Sequence, residues 1–273
     1  MQGRLVPPAG RGIQFFPFEE WEREFASAEE LGLDEIEFIF DEDQHERNPL
    51  WSPEGVSQIR RLQEHHGVWV RHICADYFMR SPFFRVSEPV RNANVAVLNR
   101  LIEVAGRIGA KTVEIPLLDN SSIRTPEEEL LFVESLGECL EMAEQRDITL
   151  ALETDLPAER LLALVKRTRS PRVKVVYDSG NSASLGYNNY DEIMAYGDIV
   201  SNVHIKDRIR GGSTVELGAG DADFDGLFRG LKEKKYAGGF ILQSARGEEG
   251  KERETVMRHK EFTERYIKKY FHE

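Results

Sequence analysis

Three residues with the chemistry of metal ligands each follow directly on an apolar run. Glu153 follows Leu150-Ala-Leu152, Asp178 follows Val175-Val-Tyr177, and His204 ends a run over 199–203. Short apolar, β-branched runs read as strands, so each run delivers a carboxylate or an imidazole at a strand's C-terminal end. If the three strands lie side by side, the groups meet. Two hard oxygen donors and one imidazole nitrogen suit a divalent ion such as Mn, Mg, Co or Zn. Taken singly, each residue has a plainer reading. Glu153 can be half of a structural salt bridge, Asp178-Ser-Gly-Asn181 an Asx-type turn, and His204 a satisfied core histidine. All three at the same end of successive strands favour the metal reading.

The elements that must position them alternate along the chain. Strands are expected over 35–40, 68–73, 111–116, 148–153, 173–177, 199–204 and 239–243, with an eighth, short one over 1–5. That short opening strand suggests residues upstream of Met1. Helices are expected over 19–31, 53–65, 88–108, 126–146, 158–167, 190–196, 224–235 and 251–271. Thr125-Pro126-Glu127-Glu128 is a helix start, with a capping hydroxyl, Pro at the first position and acid in the first turn. The strands show little alternation, as expected when both faces are buried beneath helices. Repeated strand–helix units over 273 residues fit a (β/α)8 barrel or a doubly wound sheet. The lack of a Gly-x-Gly-x-x-Gly turn after an early strand, and polar residues trailing many strands, favour an α/β chain folded as a single (β/α)8 TIM barrel over residues 1–273. Residues 6–12, rich in Pro and Gly, read as a loop.

Composition narrows the partners. With 36 basic and 48 acidic side chains the formal charge is −12, a field that repels nucleic acid and anionic membranes. No apolar run approaches the ~20 residues of a membrane span, and no leader pattern opens the chain, so a cytoplasmic protein is expected. Cys74 and Cys139, the two cysteines, lie in apolar surroundings and are expected as buried thiols.

Further candidates surround the three. Arg210, in the loop after the His204 strand, can grip a substrate hydroxyl, carboxylate or phosphate, or be a solvated loop residue. Lys206 and Asp207 can form a local ion pair that orients His204. His72 and Glu114 are each either a substrate contact or a buried structural group.

The chain resembles the xylose-isomerase-like TIM barrel superfamily, specifically its sugar phosphate isomerases and epimerases, which share the AP endonuclease family 2 fold. The likeness covers nearly the whole chain. It runs from Met1-Gln-Gly-Arg-Leu5 through Gly32-Leu-Asp-Glu-Ile-Glu37, Cys74-Ala-Asp-Tyr-Phe-Met79, Leu152-Glu153, Asp178-Ser-Gly-Asn181 and His204-Ile-Lys-Asp207 to Leu217-Gly-Ala-Gly-Asp-Ala-Asp-Phe224. The resemblance implies one divalent ion held by Glu153, Asp178 and His204, with a second glutamate on the last strand. That position here is Gln243, whose amide oxygen can still coordinate a metal, so Gln243 is expected as the fourth ligand. It maps the arginine after the histidine onto Arg210 and puts Asn181 where a histidine is frequent; with these, Lys206, His72 and Glu114 are the candidate substrate contacts. The implied chemistry is proton abstraction beside a carbonyl of a sugar or sugar phosphate. Glu153 is the expected catalytic base, because an amide at 243 cannot accept a proton at neutral pH. One base suits aldose–ketose isomerisation better than 3-epimerisation. Two alternatives stay open: a catalytically impaired sugar-binding barrel, and a lyase or hydrolase of the same fold resembling inosose dehydratase. Nucleic acid and membrane are not expected partners, and homo-oligomerisation is left open. A nuclease of this fold needs a larger His and carboxylate set than this chain supplies.

Overall fold

Several helices start at a residue whose side chain caps the first turn. The structure is a computed structural model and describes residues 1–8 and 10–271; Ala9, within the expected loop 6–12, lies outside the described residues. The chain divides into two compact units, Phe16–Lys174 and Met1–Phe15 with Val175–Glu273.

The unit Phe16–Lys174 contains, in chain order, α1 (Arg23–Glu30), β1 (Glu35–Ile39), α2 (Pro53–His66), β2 (Trp69–Cys74), α3 (Tyr77–Arg80), α4 (Glu88–Ile108), β3 (Thr112–Leu117), α5 (Pro126–Gln145), β4 (Thr149–Thr154) and α6 (Ala158–Thr168). Ser52 Oγ accepts from Gly55 N at 3.0 Å and Pro53 follows it, so α2 begins there. Thr125 Oγ1 accepts from Glu128 N at 3.3 Å and starts α5 as expected. Gly109 ends α4 at φ 83°, a conformation that costs a residue with a Cβ. Strands β1 to β4 pair in parallel in sequence order. Every residue of β3 is buried, which explains its lack of alternation. Ile73, Val113, Ile115, Leu150 and Leu152 are fully buried or nearly so, as are Leu98, Leu101, Phe132 and Leu136 on the helices. Each such side chain contributes roughly 1.5–3 kcal/mol relative to exposure.

The second unit takes β5 (Val173–Asp178) from Val175 onward, then α7 (Ser179–Leu185), α8 (Asn189–Tyr196), β6 (Val200–Ile205), β7 (Asp207–Arg208), β8 (Thr214–Val215), α9 (Phe224–Glu233), β9 (Phe240–Leu242) and α10 (Glu252–Phe271). Strands β5, β6 and β9 pair in parallel, and β7 with β8 is a small antiparallel hairpin. Phe228 of α9 stacks between Phe240 and Tyr266, with ring centroids 5.1 and 5.2 Å away. This ties β9 and α10 to α9.

The expected strand over 1–5 does not form. Gln2 N donates to Leu242 O at 3.2 Å, a single bridge beside β9. Gly3 then turns out of the extended conformation at φ 55°, and Pro7-Pro8 can donate nothing to a ladder. The helix α7 and the β7–β8 hairpin were not expected. Asp178-Ser-Gly-Asn reads equally as a turn and as a capped helix start, and both begin with the same Asp side chain bond.

Candidate active site

In the second unit the register of β5, β6 and β9 sets the site. Asp178 pairs with His204 across β5 and β6, and His204 pairs with Ile241 across β6 and β9. Gln243, one residue past β9, donates its backbone N–H to Ile205 O at 3.2 Å. Three strands thus bring Asp178, His204 and Gln243 to one end of the sheet, all three buried.

Asp178 spends its two oxygens differently. Oδ1 caps α7 by accepting from Asn181 N at 2.7 Å. Oδ2 lies 3.3 Å from Lys206 Nζ and 3.9 Å from His204 Nδ1. Lys206 Nζ also donates to Gln243 Oε1 at 2.8 Å. The lysine is held on both sides. A Cβ at Gly180 would stand 2.8 Å from Lys206 Cγ, so only glycine leaves it room. Ser179 Oγ accepts from Lys206 N at 3.0 Å and lies 2.7 Å from Lys206 O.

The expected Lys206–Asp207 pair is not what forms. Lys206 goes to Asp178 and Gln243, and Asp207 turns away to the loop before α9. There its carboxylate accepts from Gly218 N at 2.8 Å, Gly220 N at 2.9 Å and Ala222 N at 3.1 Å. Successive residues of a strand point to opposite sides, so neighbours in sequence separate here.

Arg210 is exposed, its backbone N–H on Asp221 Oδ2 at 2.7 Å. Its guanidinium lies over Gly186 at the end of α7, where a Cβ would be 2.8 Å from Nε. Arg208, which the sequence did not single out, is half-buried and donates to Asn181 Oδ1 at 2.9 Å and to Gly212 O. The unit therefore brings Asp178, Asn181, His204, Lys206 and Gln243 together and leaves Arg210 at the rim of α7.

In the unit Phe16–Lys174, Glu153 is buried in the C-terminal half of β4 and pairs in register with Pro116. Glu114 on β3 is fully buried, pairs with Cys74 and accepts from its Sγ at 3.4 Å. The thiol also lies 3.3 Å from Asp76 Oδ1. Burial first, then Asp76, Glu114, Glu37 and Glu153, pushes the Cys74 thiol well above its ordinary range. Both cysteines are buried thiols, as expected. Burial, with Asp76 as the next cause, raises the Asp41 carboxyl to about 6, although Phe16 N donates to it at 2.7 Å. His72 belongs to a different pair. Its Nε2 lies 3.6 Å from Glu35 Oε2, on the first residue of β1. Burial raises the Glu35 carboxyl, but the His72 ring and nearby positive charge outweigh it and leave it below the ordinary range.

Sequence reading missed Glu37, Asp41 and Asp76 as members of this acid-rich region. Glu37 was visible inside Asp34-Glu-Ile-Glu37, where acids two apart on a short strand share one face.

Asp178 and His204 in the second unit give a buried carboxylate and imidazole side by side, and Glu37, Glu114 and Glu153 give three buried carboxylates in the first. Hard oxygens with one borderline nitrogen fit Mn, Mg, Co or Zn rather than a soft ion.

Residues 25–264 match the family described as xylose isomerase-like TIM barrel, and the chain belongs to that family. Its α/β fold class is accordingly that of a TIM barrel. The chain is 27% identical over 232 residues to L-ribulose-5-phosphate 3-epimerase UlaE of Salmonella heidelberg (strain SL476), covering 82% of this chain and 81% of that one. Among solved structures, an L-ribulose 3-epimerase superposes with a TM-score of 0.79 at 17% identity, covering 99% of this chain and 94% of that one. The IOLI protein with a bound zinc atom superposes with a TM-score of 0.74 at 21% identity, covering 92% and 94%. At these identities the structural likenesses speak to the fold.

Proposed function

We propose that this protein is a divalent-metal-dependent sugar or sugar-phosphate isomerase or epimerase, working as one barrel domain over 1–273 and moving a proton beside a carbonyl. The observation that carries this reading is the divided use of Asp178. One oxygen is committed to capping α7, which orients the other toward His204. A carboxylate so held is preorganised as a ligand.

In this reading Glu153, Asp178 and His204 hold the ion and Gln243 stands beside it. A divalent ion bound there supplies a Lewis acid that polarises the substrate carbonyl and steadies the charge that develops on its oxygen. Glu153 takes the proton from the neighbouring carbon and returns it. Arg210 and Asn181 bind the sugar hydroxyls or phosphate, with Lys206, Glu114 and His72 as further contacts. The epimerase relative supports the reaction class. A small-molecule sugar is the partner. No helix among the described residues is long and apolar enough to cross a membrane, and the two unbridged thiols support a cytoplasmic setting.

One observation favours a second reading, a barrel that binds sugar without turnover. Gln243 cannot act as a base, and its oxygen is already taken up by Lys206.

The test pairs metal analysis of protein purified without chelators with a screen in deuterated water. Pentoses, hexuloses and their phosphates are followed for deuterium at the carbon beside the carbonyl. About one divalent ion per chain with exchange into one sugar is the expected result. Sugar binding without exchange selects the second reading, and neither exchange nor sugar binding overturns both.

A further inference from the structure

We infer that Lys206 and Gln243 form a two-donor seat for an anionic oxygen, so that the substrate is a sugar acid whose carboxylate lies next to the reacting carbon. The inference deepens the proposed function and rests on it. The Lys206 bond fixes which way the Gln243 amide faces. An ammonium only donates, so the atom 2.8 Å from Nζ is the carbonyl oxygen. The NH2 end of Gln243 must then face the other way. Gln243 is 3% exposed, yet among the described residues its Nε2 donates to no protein group and is not sealed from solvent-accessible space. Two N–H donors are therefore presented where the resemblance implies a carboxylate.

Charge points the same way. A glutamate at 243 would give Lys206 a second anion beside Asp178 and leave the group negative. With Gln243, Lys206 and Asp178 balance each other, and the pair adds no net negative charge of its own beside a ligand carboxylate. An ammonium has three donors; one goes to Gln243 Oε1, and a second faces Asp178 Oδ2 as an ion pair at 3.3 Å. The third, with the amide N–H groups, matches the two oxygens of one carboxylate. The seat is built in advance. Gly180 packs against the lysine stem, Ser179 holds the lysine backbone, and the lysine holds the amide. Little side-chain freedom remains to be lost on binding. A neutral sugar offers only hydroxyls to these donors, and hydrogen bonds to a charged acceptor are stronger, about 1.5–3 kcal/mol. Set against about 0.5–1.5 kcal/mol for a neutral acceptor, the difference corresponds to a preference of about tenfold.

The experiment is isothermal titration of the full chain with aldonates, uronates and 2-keto acids of five and six carbons. Each is set against the neutral sugar of the same stereochemistry and its terminal phosphate ester, with Mg2+ present and again with the metal chelated. At least one acid is expected to bind about tenfold or more tightly than its neutral and phosphorylated partners. Gln243→Glu should abolish that preference while metal content is kept, which separates the seat from simple attraction to the ion. Gln243→Leu and Lys206→Met should each weaken the acid about tenfold more than they weaken the neutral sugar. If every acid binds no better than its neutral partner, or Gln243→Glu retains the preference, the seat is overturned. Deuterium exchange into neutral or phosphorylated sugars without any acid preference overturns the seat alone. Acid preference without exchange into any sugar keeps the seat and overturns the enzyme.

Discussion

The two units handle buried acid in opposite ways. In Phe16–Lys174, burial and neighbouring acids act together: burial and then Asp76 lift Asp41 to about 6, and burial and then four acids lift the Cys74 thiol. In the other unit each buried acid is met by donors. Asp207 has three backbone amides, Asp178 has one amide and a lysine, and Glu192 accepts from the hydroxyls of Ser182, Tyr177 and Tyr196. Acid gathered against acid costs stability and suits a place where a cation or a proton is to be taken up. Acid saturated by donors holds loops in place. Asp178 lies between these extremes, since only one of its oxygens is spent on the backbone.

The largest expected effect separates the two kinds of acid by function. Glu153→Gln should lower solvent-deuterium exchange by about a thousandfold, within the range expected for removing a general base, while the melting temperature stays the same or rises. A variant that exchanges normally would return Glu153 to a structural role.

Asp207→Ala should show the reverse. Three buried amides lose their acceptor, which costs about 3 kcal/mol and lowers the melting temperature by roughly 6–12 °C. Metal content per folded chain should be unchanged. A melting temperature unchanged by the substitution would mean that the loop before α9 is held by something else.

The pH dependence of stability tests the acid-rich unit directly. Asp41 is raised to about 6, so between about pH 4 and 6 the folded chain keeps a proton that the unfolded chain has released. Stability from this group is therefore present at low pH and lost as pH rises through that window. Asp41→Asn removes the titration. The stability of the wild type minus that of the variant should fall between pH 4 and pH 7, by at most about 3 kcal/mol for a shift of about two units. Urea midpoints at the two pH values check the sign, and a difference that grows with pH would contradict it.

The smallest effect concerns the cations. Arg210→Ala should weaken sugar binding about tenfold, near 1.4 kcal/mol, and leave metal content unchanged. Arg208→Ala should also disturb Asn181, whose side-chain oxygen it holds. If Arg208→Ala alone weakens binding, the substrate arginine is Arg208 and Arg210 is a rim residue.

Much of the site was legible because strand ends are legible. Glu153 and His204 lie within two residues of the C-terminal ends of β4 and β6, and Asp178 ends β5. Each is reached by a short apolar run that needs no tertiary information to recognise. Helix starts at Ser52 and Thr125 were legible for the same local reason: cap, proline and first-turn acid lie within four residues. The opening strand failed because Gly3 takes a positive φ and residues 1–5 are left a single bridge, at Leu242.

What the sequence determined by itself is which chemical groups stand at which strand ends, because side-chain type and strand formation are local properties. What the tertiary structure decided is who meets whom. Lys206 and Asp207 are neighbours in the chain, yet one reaches Asp178 and Gln243 and the other reaches amides 11 to 15 residues on. His72 reads as a strand-end imidazole but meets Glu35 at the start of β1. These partners depend on register between strands far apart in sequence, and one residue of register moves a side chain to the opposite face.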